Sequence, residues 1–319
     1  MAKHKFSRRR ALVAGGSALA LGLLPGFRSL LAAATEPATA PTTQPANKRF
    51  LVAADDLFLL QRQKIKAFSI AQKCGLDGIQ VDMGGIPQGL ALNDTLRDPQ
   101  VVQQFLDESK NTGVRICSLA FFGMYAHIYA NMPIALAITR EWVGLMQKMN
   151  VKFGFLPLMT KDGTMKEAEH AEVRRKTVAI LKEIAPEAEK AGVIMGVESN
   201  LDGDGYKKFL DEVGSPAVQA FYNPGVGLEN KYDVYQDIRD LGKTRVCALH
   251  IEQGSVAPET FEHLLGDGLI DFHKLKSAME DINWSGWMSI ARSRKKGREK
   301  KVVENFTYNA KYLHDMFPQ

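Results

Sequence analysis

A regular alternation of short apolar runs with longer amphipathic ones, from Arg49 onward, constrains this chain of 319 residues more than any other feature. The short runs are FLVAAD (50–55), GIQVDM (78–83), RICSLAFF (115–122), KFGFLPL (152–158), VIMGVES (193–199), VQAFYN (218–223), RVCALHIE (245–252) and WMSIA (287–291). They are short and rich in β-branched and aromatic residues, as strands buried on both faces are. Between them, apolar residues recur every three to four positions. One such stretch, EHAEVRRKTVAILKEIAPEAEKAG, stops at Gly192, a helix-end signal. Eight repeats of strand then helix over about 270 residues predict an α/β fold, a (β/α)8 barrel of the kind that usually takes about 250 residues. A doubly wound open sheet is the competitor, but no glycine-rich turn follows the first strand. The same lack of a dinucleotide fingerprint argues against hydride transfer.

Residues 1–34 read as an export signal. Positive charge gathers in KHKFSRRR, the apolar run ALVAGGSALALGLLPGF follows, and Ala32-Ala33-Ala34 fits an A-x-A cleavage site. Gly15, Gly16, Gly22 and Pro25 interrupt the run, which makes it a poor membrane span. Ser7-Arg8-Arg9-Arg10-Ala11-Leu12 resembles the twin-arginine motif, whose export machinery carries folded proteins. An ordinary secretory signal with a basic start is the alternative. Either one predicts a periplasmic or secreted protein with no membrane span left after processing. Thr35 to Lys48, rich in Pro, Thr and Ala, reads as a flexible linker, leaving 49–319 for the barrel. Six Lys and Arg and no acid lie within 1–34, so the formal +5 of the whole chain falls by six to −1 without them. A near-neutral domain offers no general attraction for nucleic acid. The three cysteines, Cys74, Cys117 and Cys247, have no metal-like spacing, and the latter two sit in strand-like runs as small core hydrophobes.

In such a barrel the site lies where the strands end. Gln80 and Asp82 end the second strand, Glu198 and Asn200 the fifth, Asn223 the sixth, His250 and Glu252 the seventh, and Ala291 the eighth. Alternation puts His250 and Glu252 on one face. Glu198, Asn223 and His250, from three successive strands, are expected to converge at the mouth. A carboxylate, an amide oxygen and an imidazole suit a divalent cation such as manganese, magnesium or zinc.

From about Arg49 to Pro318 the chain resembles the xylose isomerase-like barrel superfamily of sugar-phosphate isomerases and epimerases. The resemblance rests on GVESN, YNPGVG, ALHIEQG, LGDGLIDF and INWSGWMSIARSR in that order. It implies one divalent cation held by Glu, Asp, His and Glu from strands five to eight, with the two glutamates moving a proton beside a carbonyl. By position, Glu198 and His250 fill two of these places, Asn223 stands where the aspartate is expected, and Ala291 stands where the second glutamate is expected. The ligand charge then drops from −3 to −1, which implies a cation weakly bound or absent.

Glu252 stands where the resemblance implies a lysine, as a replacement ligand or base or as an ion-pair partner of Arg292 or Arg294. Arg292, Arg294, Lys295 and Lys296 form either an anion-binding rim, with Arg294 nearest the pocket, or a solvated loop. Asp82, with a helix N-cap or loop role as its alternative, and Asn200 are further candidate substrate-binding groups at the mouth. His127, with Phe121, Phe122 and Tyr125 as a stacking wall, is a candidate substrate contact. The expectation is an exported isomerase or epimerase-like protein acting on a small carbohydrate or sugar acid, with Glu198, His250 and Glu252 as catalytic groups. A carbohydrate- or partner-binding barrel that has lost metal-dependent activity is the alternative. The DNA-cutting branch of the superfamily is excluded, since the histidines of its metal cluster are missing.

Overall fold

The computed structural model describes residues 49–84, 94–158, 171–253, 263–292, 294–295 and 297–318. The signal (1–34) and linker (35–48) expected from the sequence lie outside them. Strands β1 (Phe50–Asp55), β2 (Gly78–Asp82), β3 (Arg115–Ala120), β4 (Phe153–Pro157), β5 (Ile194–Glu198), β6 (Val218–Tyr222), β7 (Val246–Ile251) and β8 (Gly286–Ile290) fall on the eight apolar runs; β1 coincides with its run, β8 is shifted one residue toward the N-terminus, and the others are shorter by one or two residues. All are parallel, each pairs with the next in sequence, and β8 pairs with β1, closing the barrel. Helices α1 (Lys66–Cys74), α2 (Pro99–Thr112), α3 (Ala135–Lys148), α4 (Ala171–Ala191), α5 (Gly203–Val213), α6 (Pro224–Glu229), α7 (Val234–Leu241), α8 (Phe272–Asp281) and α9 (Val302–Met316) lie between and after the strands. The fold is therefore a (β/α)8 barrel.

Local chemistry sets the helix boundaries. Asp98, Asp202, Asp233 and Asp271 each accept a backbone N–H of the first turn that would otherwise have no partner. At the other end, Gly75, Gly113 and Gly214 take φ near +70°, the left-handed cap that favours glycine. No helix of the described residues is long and apolar enough to cross a membrane.

Strand alternation sorts the core into two parts. Residues facing outward pack against the helices in one large apolar layer. Residues facing inward form a smaller plug that includes Leu51, Phe155, Phe221, Cys247, Ala248 and Trp287. The rings of Phe155 and Phe221 meet edge-on with centroids 5.0 Å apart, and burying each contributes roughly 2–3 kcal/mol. Cys117 and Cys247 belong to this plug and none of the three cysteines forms a disulfide. Burial pushes both of these thiols up to about 12, so they stay protonated and inert. Above the plug, toward the ends of the strands, the same inward rows turn polar: Leu51 and Ala53 lead to Asp55, and Ala248 leads to His250 and Glu252.

The outer layer allows little room on the strands. The buried indole of Trp142 lies over Gly154, donates to the Leu119 carbonyl at 3.2 Å, and would sit 2.1 Å from any Cβ added there. Gly154→Ala is therefore expected to cost about 3 kcal/mol, the upper end of the overpacking range. Urea unfolding should register this as a lower midpoint at unchanged slope.

Candidate active site

The centre of the mouth is His250, whose two ring nitrogens both face carboxylates. Nδ1 lies 2.6 Å from Glu198 Oε2, and Nε2 lies 3.1 Å from Asp55 Oδ2. These are the terminal residues of β5 and β1, brought to either side of β7 by closure of the barrel. An imidazole with an acceptor at each nitrogen is satisfied only when both nitrogens carry hydrogen. Burial disfavours that charge, but Glu198 and Asp55 together outweigh it and hold the His250 pKa well above the ordinary value. Burial pulls Asp55 toward its neutral form, against the opposing effects of His250 and the Ser289 hydroxyl. The geometry supports the charged pair, since His250 donates to one oxygen of Asp55 and Ser289 Oγ donates to the other at 2.9 Å.

Glu198 meets three donors. Besides His250, the Tyr125 hydroxyl donates to Oε1 at 2.6 Å and Asn223 Nδ2 donates to Oε2 at 3.1 Å. Tyr125 comes from the 3-10 turn Phe122–Ala126 after β3. Burial, followed by the negative charges of Glu198 and Glu252, pushes its phenol well above the usual range, so it remains a donor. Asn223 also donates to Glu252 Oε1 at 3.3 Å, while its Oδ1 accepts the Val226 N–H at 3.2 Å and caps α6. Glu252 Oε2 in turn meets Arg292 Nε at 3.3 Å. Phe155 supplies an apolar floor 4.7 Å from the His250 ring, and Phe122 stacks on Tyr125 at 6.2 Å.

Glu198, Asn223, His250 and Glu252 are thus brought together, and Glu252 takes Arg292 as its ion-pair partner. Ala291 is fully buried and contributes only a methyl group and a backbone N–H to the Ile251 carbonyl. The surroundings of the other expected residues differ. Asp82 is paired with Arg62 and accepts the Gly84 N–H at 2.9 Å. Asn200 is half-buried, and its carbonyl accepts the Tyr232 hydroxyl at 3.3 Å. His127 is exposed at the end of the turn that carries Tyr125. Arg294 lies over the Phe58 ring at 5.5 Å, and Phe58 meets Phe122 edge-on at 6.0 Å, so it borders the aromatic wall. Lys295 is exposed and Lys296 lies outside the described residues. Phe121 is not part of the wall: it is fully buried against Trp142, with centroids 4.8 Å apart, because it points outward where Phe122 points inward.

Asp55 and Ser289 did not stand out in the sequence. The signal for Asp55 was present, since it follows Leu51 and Ala53 on the inward row at a strand end, but an acid after an apolar run reads equally well as the start of a turn.

A divalent cation at this mouth would need open lone pairs from these side chains. Neither nitrogen of His250 offers a lone pair, Asn223 Oδ1 is committed to α6, both oxygens of Glu198 already accept hydrogen bonds, and Ala291 has no donor atom. Among the described residues, no group of three or more His, Cys, Asp or Glu is arranged to hold a metal ion. As arranged, these side chains do not fit one.

Two consequences of the His250 pairing are measurable. Asp55→Ala strands a buried charge and is expected to cost about 3–5 kcal/mol in urea unfolding. The pairing with Asp55 and Glu198 raises the folded-state value, so its contribution is full below the ordinary histidine value of about 6.5 and is lost as pH rises through the raised one. Wild-type stability should therefore fall on the alkaline side, and His250→Gln should flatten that slope.

Residues 68–311 match the family described as xylose isomerase-like TIM barrel. Among solved structures, the chain is similar to L-ribulose 3-epimerase, at 14% identity and a TM-score of 0.65, covering 84% of this chain and 94% of that one. It is similar to D-psicose 3-epimerase determined in the presence of D-fructose, at 13% identity and 0.65, covering 84% and 99%. It is also similar to 3-keto-D-glucoside 4-epimerase from E. coli, at 12% identity and 0.63, covering 84% and 99%. At these identities the likeness is one of fold. No curated protein matches the chain in sequence.

Proposed function

Because the chain belongs to the xylose isomerase-like TIM barrel family, we propose that it is an exported, sugar isomerase- or epimerase-like protein that works by proton transfer beside a carbonyl at an altered metal site. The observation that carries this reading is the convergence of Glu198, Asn223, His250 and Glu252, from the ends of β5, β6 and β7, on one hydrogen-bonded network at the barrel mouth. The epimerases that share the fold support a sugar or keto-sugar as substrate.

The two glutamates differ in access. Glu198 is 0% exposed beneath Tyr125, whereas Glu252 is 7% exposed beside an Arg292 side chain that is 43% exposed. Glu252 is the carboxylate that reaches a sugar, and Glu198 with His250 holds the charges behind it. In the proposed reaction Glu252 takes the proton from the carbon next to the carbonyl, and the Arg292 guanidinium stabilises the enediolate oxygen that forms. The neighbouring hydroxyl proton passes to the former carbonyl oxygen, and the Glu252 acid returns its proton to the adjacent carbon. One base serves this 1,2-transfer on a single face of the sugar. Epimerisation needs a group on the other face, where Ala291 has none.

The three donors on Glu198 and the methyl group of Ala291 favour a second reading, a barrel that binds a carbohydrate or sugar acid without turning it over. Incubation of the full chain with ketoses, aldoses and sugar acids in D2O separates the two. Isomerisation should place deuterium on the carbon beside the carbonyl, and Glu252→Gln should slow this at least ~100-fold. A sugar that raises the melting temperature yet gains no deuterium would establish the binding barrel. Export is supported by the Ser7–Leu12 segment; Arg8→Lys with Arg9→Lys should leave the protein in the cytoplasmic fraction.

A further inference from the structure

Asn223 occupies the one described point where side chains of Glu198 and Glu252 share a donor. Its Nδ2 lies 3.1 Å from Glu198 Oε2 and 3.3 Å from Glu252 Oε1, and all three residues are buried. A position flanked by two anionic oxygens from different strands attracts positive charge, and ordinarily a cation fills it. Here the partial charge of an amide hydrogen pair does so. The orientation of the amide is set from outside the pair: Oδ1 accepts the Val226 N–H in the first turn of α6. Turning it over would set the NH2 against that N–H and the carbonyl oxygen against two carboxylates, which costs every hydrogen bond it makes.

We propose that the Asn223 side-chain amide is a fixed, uncharged clamp in the place between Glu198 and Glu252 that a divalent cation would otherwise take, so that hydrogen bonds and paired cations organise this centre. The surrounding charges agree. The buried acids Asp55, Glu198 and Glu252 meet cationic partners in His250 and Arg292. The amide hydrogens lie between two carboxylates without adding charge, whereas a divalent ion would add two positive charges to a buried site. Ala291 offers no oxygen that would compensate for the loss of Asn223 from a coordination shell. The inference holds whether the barrel isomerises a sugar or only binds one.

The experiment compares melting temperatures of the full chain, Asn223→Ser and Asn223→Asp, each with manganese and with a chelator. Both replacements keep a side-chain oxygen that caps α6, so the loss of the cap does not confuse the result. The wild type is expected to melt at the same temperature in both conditions. Asn223→Ser should melt at least about 2 °C lower. Asn223→Asp, with a third carboxylate at the shared point, should gain about 2 °C or more from manganese. A wild-type melting temperature that rises with manganese and falls with the chelator overturns the proposal, and so does Asn223→Ser as stable as wild type. The wild-type and serine arms decide the matter even where Asn223→Asp does not fold. Because the readout is melting temperature, its failure is distinguishable from a failure to exchange deuterium.

Discussion

The bridge Asp55–His250–Glu198 joins β1, β7 and β5 across the inside of the barrel, and the rest of the mouth is arranged around it. Three ionisable groups with almost no solvent exposure can coexist only because each satisfies another. The imidazole has two acceptors, each acceptor is shared with a further donor, and those donors come from Ser289, Tyr125 and Asn223. Removing any one partner exposes the others to the full cost of burial without compensation. This interdependence fixes the side-chain positions at the strand ends more tightly than backbone pairing alone would.

The bridge also divides the mouth into two levels. Below it, Phe155, Phe221 and the plug keep water out, which strengthens the electrostatic pairing. Above it, Glu252 and Arg292 form a second ion pair with access to solvent. Asn223 connects the levels, since its amide donates to a carboxylate of each. Through this amide the lower level holds the upper one in place.

Much of this was legible in the chain. Eight apolar runs bounded by amphipathic stretches specify a closed parallel barrel, because period-two and period-3.6 patterns cannot exchange roles. The strand-end rule then picked out Glu198, Asn223, His250, Glu252 and Ala291, four of which share the network or border it. Asp55 escaped notice even though its row, Leu51 and Ala53, faces the plug. It lies 195 residues from His250, and a single acid after a strand carries no local mark of such a partner. Phe121 and Phe122 read alike in the sequence, yet adjacent residues at a strand end face opposite sides.

The sequence by itself determined the barrel and several of the polar residues at its mouth, since these follow from periodicity and residue identity. Only the tertiary structure decided what those residues do to one another. A histidine between two carboxylates and a histidine with an open lone pair have the same letter in the chain. An asparagine that presents its oxygen cannot be told by its letter from one that presents its nitrogen. Closure of the barrel brings β1 beside β8 and sets Asp55 against His250, and the first turn of α6 turns the Asn223 amide. The physical reason is that hydrogen-bond direction depends on which partners arrive on each side, and here they arrive from strands far apart in sequence.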